Sequence, residues 1–173
     1  VMLAQYNLGL LYDTGRGVKQ DYAEAASWWR KAADQGHANA QYNLGVLYGH
    51  GRGVKQDYAE AALWYRKAAD QGNAAAQYLV GVFYTYGYGV TKDYASAASW
   101  YRKAADQGNA KAQSSLGSLY EYGEGVQQNY STAIGWYRKA ADQGDAKAQY
   151  DLGIGYETGQ GVPLDIIQAH KWY

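Results

Sequence analysis

The stretch Ala40–Ala75, AQYNLGVLYGHGRGVKQDYAEAALWYRKAADQGNAA, is written almost five times in this chain. Aligned copies open at Ala4, Ala40, Ala76, Ala112 and Ala148, a fixed 36-residue period. A period of this size marks a stack of supersecondary units, each burying its apolar face on its neighbours because it cannot bury it alone. The chain therefore reads as one all-α domain over 1–173, with repeats 4–39, 40–75, 76–111, 112–147 and an incomplete 148–173.

Inside one copy, Ala40, Leu44, Leu47 and Tyr48 recur at helical spacing, which predicts a first helix, A, from Ala38 to about Gly49. Gly51 suits a left-handed C-cap and Gly53 keeps the following loop compact. Val54, which stands in all five copies, is placed to plug the gap between the helices. Asp57 is a good N-cap for a second helix, B, and Glu60 completes an Asp version of the capping box. Helix B runs from Tyr58 to about Gln71, with Arg66 and Lys67 where cations favour the helix dipole. Gly72 ends it, and the short turn that follows forces antiparallel packing.

Two columns stand out. Gly9, Gly45, Gly81, Gly117 and Gly153 each weaken helix A by about 1 kcal/mol, which predicts a close backbone approach there from Ala25, Ala61, Ala97, Ala133 or Ala169. Trp28, Trp64, Trp100, Trp136 and Trp172 are each followed by a second aromatic residue. Adjacent helical positions diverge by about 100°, so one ring should pack within its own unit and the other against the next.

Composition narrows the function. Basic and acidic residues number 16 each, which argues against nucleic acid, whose binding needs a basic stripe to displace counterions. No apolar run approaches the roughly 18–20 residues of a membrane span. The chain has no cysteine, so disulfides and thiolate metal sites are excluded and the compartment is left open. The GRG, GYG, GEG and GQG loops follow helices rather than strands and lead into anionic caps, unlike phosphate-binding loops. His37, His50 and His170 share no metal-ligand spacing. Glu121 and Glu157 lie one repeat apart without forming a matched acid–base pair. These readings predict no catalytic residue, no cofactor and no metal.

The pattern AxxxLGxxYxxGxGVxxDxxxAxxWYRKAAxQGxA resembles the Sel1-like repeat family, a relative of the tetratricopeptide repeats, over essentially the whole chain. Departures are local: Val80 for Leu, Ser114 and Ser115 in the fourth A helix, Gly155 for a bulky residue, and Ile166–Ile167 for Tyr-Ala. The resemblance implies a right-handed α/α superhelical solenoid whose A helices line a concave, non-catalytic surface that holds a protein or peptide. It further implies bacterial roles in envelope signalling, host interaction or immunity-type inhibition. The cysteine-rich branch linked to β-lactams has paired thiols that this chain lacks.

Mapped through the related tetratricopeptide unit, the groove stripe comprises Tyr6 and Asp13 in the first repeat, then Asn39, Tyr42 and His50. The third A helix contributes Tyr78, Thr85 and Tyr86, the fourth Lys111, Ser114, Glu121 and Tyr122, and the fifth Lys147, Tyr150 and Glu157. The Tyr42 column reads equally well as packing between repeats. Tyrosine at an open face offers a large contact area at low entropy cost, and a tyrosine-lined groove also suits glycan or peptidoglycan fragments; a hydrolase is the remaining alternative. Beginning within a helix and stopping at Trp172–Tyr173, the chain reads as a stretch of a longer protein. That suggests end-to-end self-association, and a periplasmic or secreted location if the parent chain carries a signal peptide.

Overall fold

The computed structural model describes all 173 residues as ten α-helices with no β-strand. It divides into two compact units, Val1–Lys92 and Asp93–Tyr173. The first holds α1 (Met2–Thr14), α2 (Tyr22–Asp34), α3 (Ala38–His50), α4 (Tyr58–Asp70) and α5 (Ala74–Tyr86). The second holds α6 (Tyr94–Asp106), α7 (Ala110–Tyr122), α8 (Tyr130–Ala141), α9 (Ala146–Thr158) and α10 (Ile166–Trp172). Within each unit every helix packs against the next one in sequence. No helix is long and apolar enough to cross a membrane.

Punctuation residues place the helix ends. Asp57 caps α4 by accepting the Ala59 and Glu60 amides at 2.9 and 3.0 Å. The reciprocal arm of a capping box is not made, contrary to the sequence reading. The Asp57 amide donates instead to the Tyr48 carbonyl at 3.0 Å, tying helix B to helix A, and the Glu60 carboxylate accepts the Trp64 indole N–H at 3.1 Å. Gly51 closes α3 at φ 67°. His37 is itself a cap: its Nδ1 accepts the Ala40 amide at 3.2 Å, the role that Asn73, Asn109 and Asp145 play before α5, α7 and α9.

The helix-interior glycines seat aromatic rings, and at Gly117 the expected alanine backbone comes close as well, the Ala133 carbonyl oxygen lying 3.2 Å from the position of a Cβ. A Cβ on Gly45 would lie 2.5 Å from the Tyr65 ring, and one on Gly117 would lie 2.7 Å from the Tyr137 ring. Gly9 and Gly153 stand in the same relation to Trp29 and Tyr173. The second aromatic of each pair thus packs within its own repeat, as the spacing predicts. The first packs against the preceding repeat, not the following one. Trp64 is 3% exposed, with the Arg30 guanidinium 5.3 Å and the Lys67 ammonium 4.0 Å from the ring centroid. Trp136 sits between Arg102 and Lys139 in the same way. Cation–π pairing thereby adds to burial.

The second loop glycine does more than keep the loop short. Gly53, at φ 67°, brings its Cα against the start of α2, where a Cβ would stand 2.2 Å from the Tyr22 carbonyl carbon. Gly89, Gly125 and Gly161 meet Tyr58, Tyr94 and Tyr130 in the same manner. This contact joins one repeat to the next.

In the last repeats a size exchange preserves packing. Where Ala26, Ala62 and Ala98 stand in earlier B helices, α8 has Ile134; where Leu47, Phe83 and Leu119 stand, α9 has Gly155. The Ile134 Cδ1 lies 2.3 Å from the position of a Gly155 Cβ, so one residue fills the space the other vacates. Gly155→Leu alone should destabilise through overpacking by about 1–3 kcal/mol, and Ile134→Ala alone through a cavity by about 2–4 kcal/mol. The double variant should recover about 1–3 kcal/mol relative to their sum. Urea unfolding of the four proteins measures that coupling, and strict additivity would refute it.

Candidate partner-binding face

From α3 on, each A helix turns Leu44, Gly45 and their equivalents inward, and the candidate stripe runs beside them. In the first unit, Tyr6 is half-buried and stacks on His37 with ring centroids 4.4 Å apart. Asp13 is half-buried, and Asn39 is exposed and accepts from Asn73 at 3.2 Å. Tyr42 is half-buried with its ring 5.9 Å from that of Tyr65. His50 is exposed, with Nδ1 2.9 Å from the Val46 carbonyl oxygen. Tyr78 and Thr85 are half-buried, and Thr85 donates to the Gly81 carbonyl at 3.0 Å. Tyr86 is 64% exposed. It ends a column of three stacked rings, 5.5 Å from Tyr88, which in turn lies 5.2 Å from Tyr58.

In the second unit the stripe is more charged. Lys111 and Lys147 are exposed, and Lys147 pairs with Asp151 at 2.5 Å. Tyr122 and Tyr150 are 66% and 58% exposed. Glu121 accepts the Tyr137 hydroxyl at 2.5 Å, and Glu157 accepts the Tyr173 hydroxyl at 2.6 Å. Ser114 departs from the sequence reading: it is buried, at 4% exposure. Tyrosine at the equivalent place reaches past the rim of the wall, whereas the short serine side chain stops beneath it.

Burial lifts the Tyr137 hydroxyl far above its ordinary value of 10.0, and the bond to Glu121 adds to the lift. Burial, with Tyr42 beside it, does the same to Tyr65. At Tyr173 the Glu157 bond is the main cause, and the value reaches about 12. All three phenols stay neutral at physiological pH, and those of Tyr137 and Tyr173 donate to their carboxylates. The histidines serve other ends: His37 caps α3, His50 leans on its own helix, and His170 meets the Tyr173 ring edge-on at 6.3 Å.

A column the sequence reading passed over runs behind this face. Gln41, Gln77 and Gln113 are each 5% exposed and donate to the carbonyls of Ala33, Ala69 and Ala105 at 3.0–3.1 Å. Gln71 and Gln143 donate in turn to Gln41 and Gln113 at 2.7 and 2.8 Å. The bonds to the alanine carbonyls bind the end of one repeat to the next A helix, and the glutamine pairs tie helix B to helix A within a repeat. The signal was available, since Gln follows the opening alanine in all five copies, at Gln5, Gln41, Gln77, Gln113 and Gln149.

Helical hairpins that repeat in register, invariant inside and variable along one open stripe, define a repeat protein of the tetratricopeptide kind. The Sel1 repeat family model matches residues 3–37, 38–73, 74–109, 110–145 and 146–173. The chain belongs to the Sel1 repeat family. Its structure is similar to c5321, described as a protective antigen present in uropathogenic Escherichia coli strains displaying an SLR fold, at TM-score 0.97 and 46% identity over 99% of this chain. The chain spans 37% of that protein's length. It is also similar to a Sel1 repeat protein from Oxalobacter formigenes, at TM-score 0.96 and 40% identity, covering 99% of this chain and 71% of that one. Cysteine rich protein B of Helicobacter pylori shares the fold at TM-score 0.55 and 24% identity, over 64% of this chain and 86% of its own. No curated protein matches the chain.

Proposed function

We propose that this chain is a non-catalytic scaffold that holds a protein or peptide along the face formed by its A helices. The observation that carries the reading is the division of labour within the repeat. Residues common to the copies are buried or spent on contacts between repeats, while the adjacent stripe changes from copy to copy and exposes Tyr86, Tyr122 and Tyr150. Large aromatic rings with a polar tip at an open surface are suited to macromolecular contact. The stripe of the first unit is largely uncharged and aromatic, whereas that of the second carries Lys111, Glu121, Lys147 and Glu157. The two units therefore favour different segments of a partner.

The Tyr58–Tyr88–Tyr86 column favours one other reading, a glycan stacked on the outer ring. Tyr86→Ala together with Tyr150→Ala separates these ideas from a packing role. Capture of protein partners by this chain should fall about tenfold or more, with the melting temperature unchanged because both rings are exposed. Unchanged capture would sink the scaffold reading at this face. Glycan-array binding lost in the same variant, with no protein captured, would transfer the face to sugars.

A further inference from the structure

Four tyrosines follow the repeated tryptophan at equivalent places: Tyr65, Tyr101, Tyr137 and Tyr173. Two are met by a carboxylate of the chain itself, Glu121 for Tyr137 and Glu157 for Tyr173, at 2.5 and 2.6 Å. At Tyr65 that partner is missing: Gly49 stands where Glu121 and Glu157 stand.

Tyr65 is 3% exposed and its hydroxyl has no hydrogen-bond partner. Every fully buried polar side-chain atom in the protein is paired, so this unpaired hydroxyl is one that solvent still reaches. A side chain fits before it without a clash. A Cβ placed on Gly49 would find its nearest neighbours at 3.8 Å, the Tyr65 hydroxyl oxygen, and 3.9 Å, the Ala61 Cβ. Tyr42 flanks the notch with its ring 5.9 Å from that of Tyr65.

We infer that the notch at Gly49 is the seat of an acidic side chain from the bound protein, whose carboxylate accepts the Tyr65 hydroxyl. The inference rests on the protein-binding reading and assigns it one contact. The chain's own Glu121 and Glu157 show the geometry that the visiting group adopts. A hydroxyl donating to a carboxylate makes a short, charge-assisted bond stronger than a neutral one. The notch opens onto the face, so the second carboxylate oxygen stays hydrated and the cost of burying a full charge is avoided.

The test selects a random nonapeptide phage library on the intact chain, then measures the enriched peptides by calorimetry. The expected result is an Asp or Glu fixed at one peptide position. Its change to Asn or Gln should weaken binding roughly tenfold, and Tyr65→Phe should weaken it by a similar factor. Gly49→Glu, which supplies the carboxylate from within, should abolish competition for the seat altogether. Tyr65→Phe should leave the melting temperature unshifted, because no bond is lost, whereas Tyr137→Phe should lower it. Peptides that enrich without an acidic preference, or that bind both variants as well as the parent, overturn the seat while leaving the scaffold reading standing. A library that yields no binding peptide overturns both.

Discussion

Trp64→Ala should lower the free energy of unfolding by about 3–5 kcal/mol, the range for deleting a large buried aromatic. Trp64 is 3% exposed and is held in a contact that crosses from one repeat to the next. The Arg30 guanidinium lies over one side of the ring, and Arg30 also donates to the Tyr48 hydroxyl. The Lys67 ammonium lies 4.0 Å from the centroid, and the indole N–H is bonded to Glu60. Truncation leaves a cavity, strips two cations of their aromatic partner and frees a carboxylate. Because each repeat is stabilised mainly by its neighbours, the loss should spread through the Val1–Lys92 unit rather than stay at one helix. Trp28 supplies the internal comparison. It is half-buried and has Lys31 over its ring at 3.9 Å, so Trp28→Ala should cost clearly less. Denaturant unfolding followed by circular dichroism measures both. A Trp64→Ala loss below about 1 kcal/mol, the average for an arbitrary substitution, would show that the ring does not hold the repeats together.

Helix limits were legible in the sequence because they depend on local chemistry. An Asp before helix B and a glycine after each helix leave the backbone little choice, and the observed α3 and α4 ends agree with that reading to within a residue or so. The neighbour of each conserved residue was harder to read. A helix-interior glycine announces that something comes close, but periodicity does not say whether it is backbone or ring; at Gly45 it is the Tyr65 ring. The same limit hid the partner of Trp64, since helical phase gives a direction and not the repeat that lies in it. Gln41 was overlooked because a polar residue is expected on a surface, yet its fixed place beside Ala40 marks a buried amide bonded to Ala33. On the candidate face the sequence named the stripe positions on each A helix but did not reveal how deeply each side chain sits. Ser114 is buried while Tyr150 is exposed. The Tyr42 column does both jobs at once, half-buried against Tyr65 and open on its other side.

Gly53→Ala should destabilise the protein by about 3 kcal/mol or more, a large effect for one added methyl group. Two costs combine. At φ 67° an L-residue is held in the left-handed region, at about 1–2 kcal/mol. The new Cβ would also stand 2.2 Å from the Tyr22 carbonyl carbon and 2.4 Å from the Ala23 nitrogen. Those atoms are backbone at the first turn of α2 and cannot swing aside as a side chain could, so the loop must withdraw from the preceding repeat. Val54, half-buried against the same core, would be drawn out with it. Gly72→Ala separates the two costs, because Gly72 has φ 90° and nothing within 4 Å of a Cβ; only the conformational strain of about 1–2 kcal/mol should remain. The difference between the two variants, measured by urea unfolding, is therefore the worth of the loop's contact with the helix before it. Equal losses would mean that the repeats are joined by their side chains alone and that the backbone contact at Tyr22 contributes nothing.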